Sequence, residues 1–166
     1  MKHAVYAGSF DPITNGHLWM IQQGAQLFHH LTVAIGSNPA KKYLFSLDER
    51  LTMLRETTSD LPNVTISSYE NLFLIDYAHL IDATFILRGI RNEQDYAFER
   101  SMRYVNAEFD PAIQTVFLIP PRNLIEISSS FIKGLVGPAG WEKVLPNYVP
   151  PAVMKRFLTL HPHLQS

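Results

Sequence analysis

Five short runs of apolar and β-branched residues punctuate the chain: Ala4-Val5-Tyr6-Ala7, Leu31-Thr32-Val33-Ala34-Ile35, Val64-Thr65-Ile66, Thr84-Phe85-Ile86-Leu87 and Thr115-Val116-Phe117-Leu118-Ile119. Each has the length and composition of a buried strand. Between them the apolar positions recur at helical spacing. Leu18, Ile21, Ala25 and Phe28 form one such face. Leu47, Leu51, Leu54 and Thr58 form another, behind the capping box Ser46-Leu47-Asp48-Glu49. A third helix is predicted from Leu72 to Leu80. A fourth runs from Asp95 to Phe109, with Phe98, Met102, Val105 and Phe109 as its apolar face and the Tyr, Met and Leu residues of both assigned to the core. After Pro120-Pro121 the pattern shortens. Ser128-Ser129-Ser130 opens a brief helix, Gly137-Pro138-Ala139-Gly140 breaks it, and Pro146 and Pro150-Pro151 separate two more pieces. Strands alternating with helices predict an α/β fold: a doubly wound five-stranded parallel sheet, helices on both faces, and a helical C-terminal tail over about 128–160. One domain over 1–166 is the expectation.

In such sheets ligands lie beyond the carboxyl ends of the strands. The first of those ends, Gly8-Ser9-Phe10-Asp11-Pro12-Ile13-Thr14-Asn15-Gly16-His17, is the most informative stretch of the chain. Gly8 permits a sharp turn or a close ligand. Asp11-Pro12 makes a turn. Thr14 or Asn15 can cap the next helix, whose free N–H groups favour an anion. His17 falls in its first turn. A strand, a Gly-containing loop and a helix start together suit a phosphate; a capped turn with a surface histidine is the plainer reading.

Composition narrows the classes. Hydrophobic residues make up 46% and charged residues 17% of the 166 residues, and the net charge is −1, so no broad basic field recruits nucleic acid or an acidic membrane. The absence of cysteine excludes disulfides, thiolate metal sites and a cysteine nucleophile. No apolar run approaches the ~20 residues that span a bilayer, and the N-terminus carries no signal-peptide pattern. A cytoplasmic protein is expected.

The other strand ends supply matching chemistry: Lys41 and Lys42 after the second, Leu72, Phe73 and Leu74 beyond the third, Arg88, Gly89 and Arg91 after the fourth, and Leu124 to Ser130 after the fifth. Each has a simpler use. The lysines suit a solvated loop, the arginines a surface, the serines a cap, and Glu99 with Asn106 a polar stripe. His3, His29, His30, His79, His161 and His163 show no metal-ligand spacing and are expected at the surface. Convergence at one crevice is what a polyphosphate ligand requires.

The ten-residue string resembles the T/H-x-G-H signature of the nucleotidylyltransferase superfamily, which has a Rossmann-like fold. In its G-S/T-F-D-P-x-T-N-G-H form it is similar to that of the phosphopantetheine adenylyltransferase family. The resemblance continues through Asn38-Pro39-Ala40-Lys41-Lys42, Phe45-Ser46-Leu47-Asp48-Glu49-Arg50, Arg88-Gly89-Ile90-Arg91 with Asp95-Tyr96 and Glu99, and Ile127-Ser128-Ser129-Ser130. Thr14 and Ser130 distinguish it from nicotinamide-mononucleotide adenylyltransferases.

The resemblance implies adenylyl transfer from ATP to 4′-phosphopantetheine, giving dephospho-coenzyme A and pyrophosphate. It implies that His17 stabilises the transition state, and that Ser9, Lys41, Leu74 and Arg88 hold the acceptor. Ser9, Phe10, His17, Gly89, Ile90, Arg91, Glu99, Leu124, Ile125, Glu126, Ile127, Ser128, Ser129 and Ser130 would hold ATP. Mg²⁺ would ride on the nucleotide phosphates with no protein ligand, the assembly would be a homohexamer, and coenzyme A would restrain the enzyme. The departures are Ala7 for a usual Pro, Trp19 for an acidic residue, Gln23 for a frequent Arg and Gly134 for a usual Glu. A sister enzyme with another phosphorylated acceptor, or a non-catalytic nucleotide-binding protein, are the alternatives.

Overall fold

A computed structural model describes residues 1–160. In order, the elements are β1 (His3–Gly8), α1 (Asn15–Leu27), β2 (His30–Ser37), α2 (Leu47–Thr57), β3 (Val64–Glu70), α3 (Leu74–Leu80), β4 (Phe85–Gly89), α4 (Glu93–Phe109), β5 (Gln114–Leu118), α5 (Ser129–Leu135), α6 (Trp141–Val144) and, after a 3-10 turn at Leu145–Asn147, α7 (Pro151–Leu160). The five strands form one parallel sheet in the order β3-β2-β1-β4-β5, the predicted α/β, Rossmann-like arrangement. The expected surface positions of His161 and His163 lie outside the described residues.

Strand alternation divides the apolar residues between two cores. On one face Ala4 and Tyr6, Leu31, Val33 and Ile35, and Leu87 meet Ile21, Leu54, Trp141 and Phe157. On the other Val5, Ala34 and Ile86 meet Ile75, Tyr77 and Ala78. Helices therefore cover both faces, and the tail belongs to the larger core, where the Phe45 and Phe157 rings lie 5.2 Å apart. Trp19, in the place of the family's acidic residue, packs half-buried on that core.

Local details differ from the sequence reading. β3 runs on through Ser67-Ser68-Tyr69-Glu70 because β2 offers a continuous ladder as far as Ser37. Arg88 and Gly89 pair with β5 as strand residues rather than closing β4. The buried face of α1 is Gly16, Met20, Ile21 and Gly24, since a side chain at Gly24 would strike Leu87 and Leu31 at 2.8 and 2.9 Å. His3 is half-buried, 4.6 Å from the His30 ring and 2.9 Å from the Thr32 hydroxyl. The largest departure is α4. Phe98, Met102, Val105 and Phe109 do share a face, but Phe98 and Phe109 are 62% and 60% exposed and Glu99 is the helix's one buried residue. The expectation that its Met and Tyr residues are core fails for Tyr96, Met102 and Tyr104, all exposed.

Candidate active site

The strand order reverses direction at β1 and β4, so their carboxyl ends open a crevice at a topological switch point. A cavity of about 560 Å³ occupies it. Its wall includes Ser9, Phe10, His17, Lys41, Arg88, Gly89, Arg91, Glu99, Leu124, Ile127, Ser128, Ser129 and Ser130. The ends of β1, β2, β4 and β5 thus converge as expected, while Leu72, Phe73 and Leu74 beyond β3 do not reach this wall. Ile90, Ile125 and Glu126 lie off this wall: Ile90 is buried with its N–H donated to the Leu118 carbonyl, 2.9 Å away. Leu74 lines an adjoining cavity of about 440 Å³ with Tyr69, Phe73, Phe98, Met102 and Asn106. That second cavity shares Ser9, Arg88 and Glu99 with the first.

Thr14 caps α1, and the cap sets the histidine. Its hydroxyl accepts the His17 N–H at 3.3 Å, while its own N–H donates to His17 Nδ1 at 3.1 Å. A ring nitrogen that accepts carries no proton, so neutral His17 bears its proton on Nε2. Burial away from water, then the nearby Arg91 charge, lowers the imidazole pKa from 6.5 to about 4. His17 is therefore a neutral N–H donor at pH 7. Phe10, beside it, is a left-handed residue (φ 46°). Its ring is buried edge-on between Tyr6 and His17, at 5.5 and 5.1 Å. The Phe10 ring belongs to the core, so the turn it makes, and not the ring, faces the cavity.

Arg88 spans the switch point. Its Nη1 donates to the Ala7 carbonyl at 2.9 Å and its Nε to Glu99 at 2.8 Å, with Nη2 on the same carboxylate. Glu99 thus orients a guanidinium, a use that its place in a polar stripe did not disclose. Arg91 is held similarly by Asp95 at 2.8 Å, one helical turn on. That carboxylate keeps the arginine pKa raised. Burial pushes the Tyr6 hydroxyl up to about 12, so it stays protonated against the cavity.

The serine triplet divides its labour. Ser128 caps α5 by accepting the Phe131 N–H at 3.1 Å, Ser129 donates to the Pro12 carbonyl at 2.8 Å, and Ser130 is exposed on the cavity wall. Gly16 lets this segment approach: a Cβ there would lie 3.2 and 3.3 Å from the Ile127 and Leu124 carbonyl oxygens. Sequence reasoning missed Asp11, Lys133 and Arg50 as structural partners of the site. Lys133 pairs with buried Asp11 at 3.1 Å, and Arg50 donates to the Ser9 carbonyl at 2.9 Å. Gly134 has open space around its Cα.

Among the described residues no group of three or more His, Cys, Asp or Glu side chains is placed to hold a metal. The carboxylates on the cavity wall, Asp11, Asp95 and Glu99, are each paired with a cation. No helix among the described residues is long and apolar enough to cross a membrane.

A Cytidylyltransferase-like family model matches residues 5–135. A phosphopantetheine adenylyltransferase of Chromobacterium violaceum is 51% identical over 161 residues, covering 97% of this chain and 98% of that one. One of Neisseria meningitidis is 52% identical, covering 98% and 95%. Among solved structures, a Plasmodium falciparum nicotinic acid mononucleotide adenylyltransferase in complex with NaAD superposes with a TM-score of 0.69 at 16% identity, covering 97% of this chain and 96% of that one; this likeness is one of fold.

Proposed function

Because this chain belongs to the phosphopantetheine adenylyltransferase family, we infer that it transfers an adenylyl group from ATP to 4′-phosphopantetheine, giving dephospho-coenzyme A and pyrophosphate in coenzyme A biosynthesis. The observation that carries this reading to the residues is the single cavity lined by His17, Lys41, Arg88, Arg91 and the Ser128–Ser130 helix start. An acceptor phosphate oxygen attacks the α-phosphorus of ATP, and the bond from that phosphorus to the bridging oxygen of the β-phosphate breaks. The electron pair leaves with pyrophosphate. The phosphate is already an anionic nucleophile at neutral pH, so no side-chain base is needed. What the protein supplies is alignment of two polyanions and preorganised charge.

In this reading Lys41, Arg88 and the Ser9 hydroxyl receive the acceptor phosphate. Its arm extends into the second cavity past Leu74. Glu99 fixes the Arg88 fork rather than touching nucleotide. The neutral Nε2–H of His17 donates to the phosphate oxygens that gain charge, with Arg91 and the α5 start beside it. Gly89 and Ile90 flank the nucleotide through the β4 backbone, and Leu124, Ile125, Glu126 and Ile127 form the turn that encloses it. Mg²⁺ would be held by the nucleotide phosphates and would neutralise charge on them as the bond breaks. Coenzyme A carries both an adenylyl part and a pantetheine arm, so it suits the two joined cavities as a feedback ligand. The exposed apolar face of α4 supports a homo-oligomer, with a homohexamer as the family expectation. One nucleotidylyltransferase domain working in the cytoplasm completes the reading.

Pyrophosphate release is the test. With ATP, 4′-phosphopantetheine and Mg²⁺ it should be rapid; with CTP, or with a chelator, it should fall to background. Release with CTP, or with a different phosphorylated acceptor alone, would move the chain to a sister activity. ATP binding without turnover would make it a nucleotide-binding protein.

A further inference from the structure

Asp11 is 3% exposed, yet neither the capping of α1 nor the phosphate contacts use it. Its carboxylate gathers three donors from distant parts of the chain. Oδ2 accepts the Leu44 N–H at 2.9 Å and the Lys133 ammonium at 3.1 Å, and Oδ1 accepts the Phe45 N–H at 2.9 Å. Leu44 and Phe45 end the loop that carries Lys41 and Lys42 between β2 and α2. The loop's other hydrogen bonds are internal. Asn38 accepts the Ala40 and Lys41 N–H groups at 2.9 and 3.0 Å, and the Tyr43 hydroxyl accepts the Asn38 N–H at 3.0 Å. Those bonds give the loop its shape but not its place. Its place comes from Asp11, from the buried Phe45 ring, and from the Arg50 guanidinium lying 4.1 Å over Tyr43 while it donates to the Ser9 carbonyl.

We propose that Asp11 is a positioning residue, docking the Lys41 loop against the phosphate cradle with Lys133 as its counter-ion. The inference rests on Lys41 receiving the acceptor phosphate. Asp11 lies two residues from Ser9 in the turn that closes the cradle, so a single carboxylate registers the loop, the turn and α5 to one another. Both of its oxygens accept, and an isosteric amide would present N–H to at least one of these donors. Charged acceptors make the stronger hydrogen bonds, and their loss releases the loop without emptying the cavity of cations.

The test is a double-mutant cycle on the full chain, read as KM for 4′-phosphopantetheine and for ATP. Asp11→Asn should raise the acceptor KM about tenfold, with the ATP KM changed less than about threefold. In Lys41→Ala the acceptor KM rises by itself, and adding Asp11→Asn should then change it by less than about twofold, because the second change acts through the first. Multiplying effects, or an ATP KM that rises in step with the acceptor KM, would overturn the positioning role. Should Asp11→Asn not fold, Lys133→Met leaves both loop bonds in place and should raise the acceptor KM about threefold only while Lys41 is present. No rise, or the same rise without Lys41, counts against the proposal. An unchanged acceptor KM in Lys41→Ala alone would instead refute Lys41 as the acceptor's ligand.

Discussion

The cavity at the strand ends and the cavity beside it share Ala7, Gly8, Ser9, Arg88 and Glu99, yet they are built by opposite means. Most of the first wall follows a strand or starts a helix, and its two arginines are clamped by carboxylates. The second is walled by Phe73, Leu74 and the side chains of α4, among them Phe98 and Met102, on a helix that adds no residue to either core. Rigidity in the first comes from ion pairs and caps fixed before any ligand arrives. That is what electrostatic stabilisation of a transition state demands. The second needs only apolar area and a few polar points such as Asn106, which suits an extended, flexible arm.

Breaking the first cavity should have the largest effect. His17→Ala removes the Nε2–H donor and should lower turnover by ~10²–10³ or more. The far-ultraviolet circular dichroism should stay unchanged, because Thr14 still caps α1 through its hydroxyl. Pyrophosphate release in single-turnover mixing checks it, and near-normal turnover would sink the role. Glu99→Ala comes next. It strips Arg88 of two of its three hydrogen bonds and leaves a part-buried cation without its partner, which should cost ~3 kcal/mol of stability. Since Arg88 borders both cavities, the acceptor KM should rise with that loss. A Glu99→Ala protein of unchanged melting temperature would show the pair to be incidental.

The same contrast explains what could be read from the sequence. Strand ends are legible because a β-branched run, a glycine and a cap fix where the chain turns, and parallel topology fixes where the turns meet. Ser9, His17, Lys41, Arg88, Arg91 and Ser128 were placed that way. Asp11, Arg50 and Lys133 were not. Their partners lie 33, 41 and 122 residues away, and no local pattern announces a bond of that span. The face of α4 escapes such a reading for a different reason. A 3.6-residue apolar period states that a face is covered by something without saying whether a core, a ligand or another copy covers it. Here neither buried core includes an α4 residue, so the period records a cavity wall and an outer surface.

That distinction yields the next test. Phe98 and Phe109 both line the second cavity and both stand mostly exposed. If another copy covers the rest of that helix face, Tyr104→Glu, which lies off the cavity wall at 58% exposure, should lower the assembly mass in sedimentation velocity. The acceptor KM should shift much less than in Phe98→Glu. An unchanged mass in both would leave α4 as a ligand wall alone.

The smallest effect concerns pH. His17 titrates near 4 in the fold and near 6.5 when unfolded. Between those values the unfolded chain binds the extra proton, so acid favours unfolding. The stability that neutral His17 contributes is fully present above about pH 6.5 and drains as the pH falls toward 4. His3 adds a parallel slope, since burial and the adjacent His30 lower its pKa as well. The melting temperature should therefore fall by a few degrees between pH 7 and pH 5. The slope should be shallower in His17→Asn, which lacks the titrating ring, and shallower again when His3→Asn is added. The His3 part reports on the far end of the sheet, so it should persist when ATP fills the crevice, whereas the His17 part should change because bound phosphate favours the charged ring. An ATP-insensitive slope in the His3→Asn protein would mean that the imidazole does not face the nucleotide.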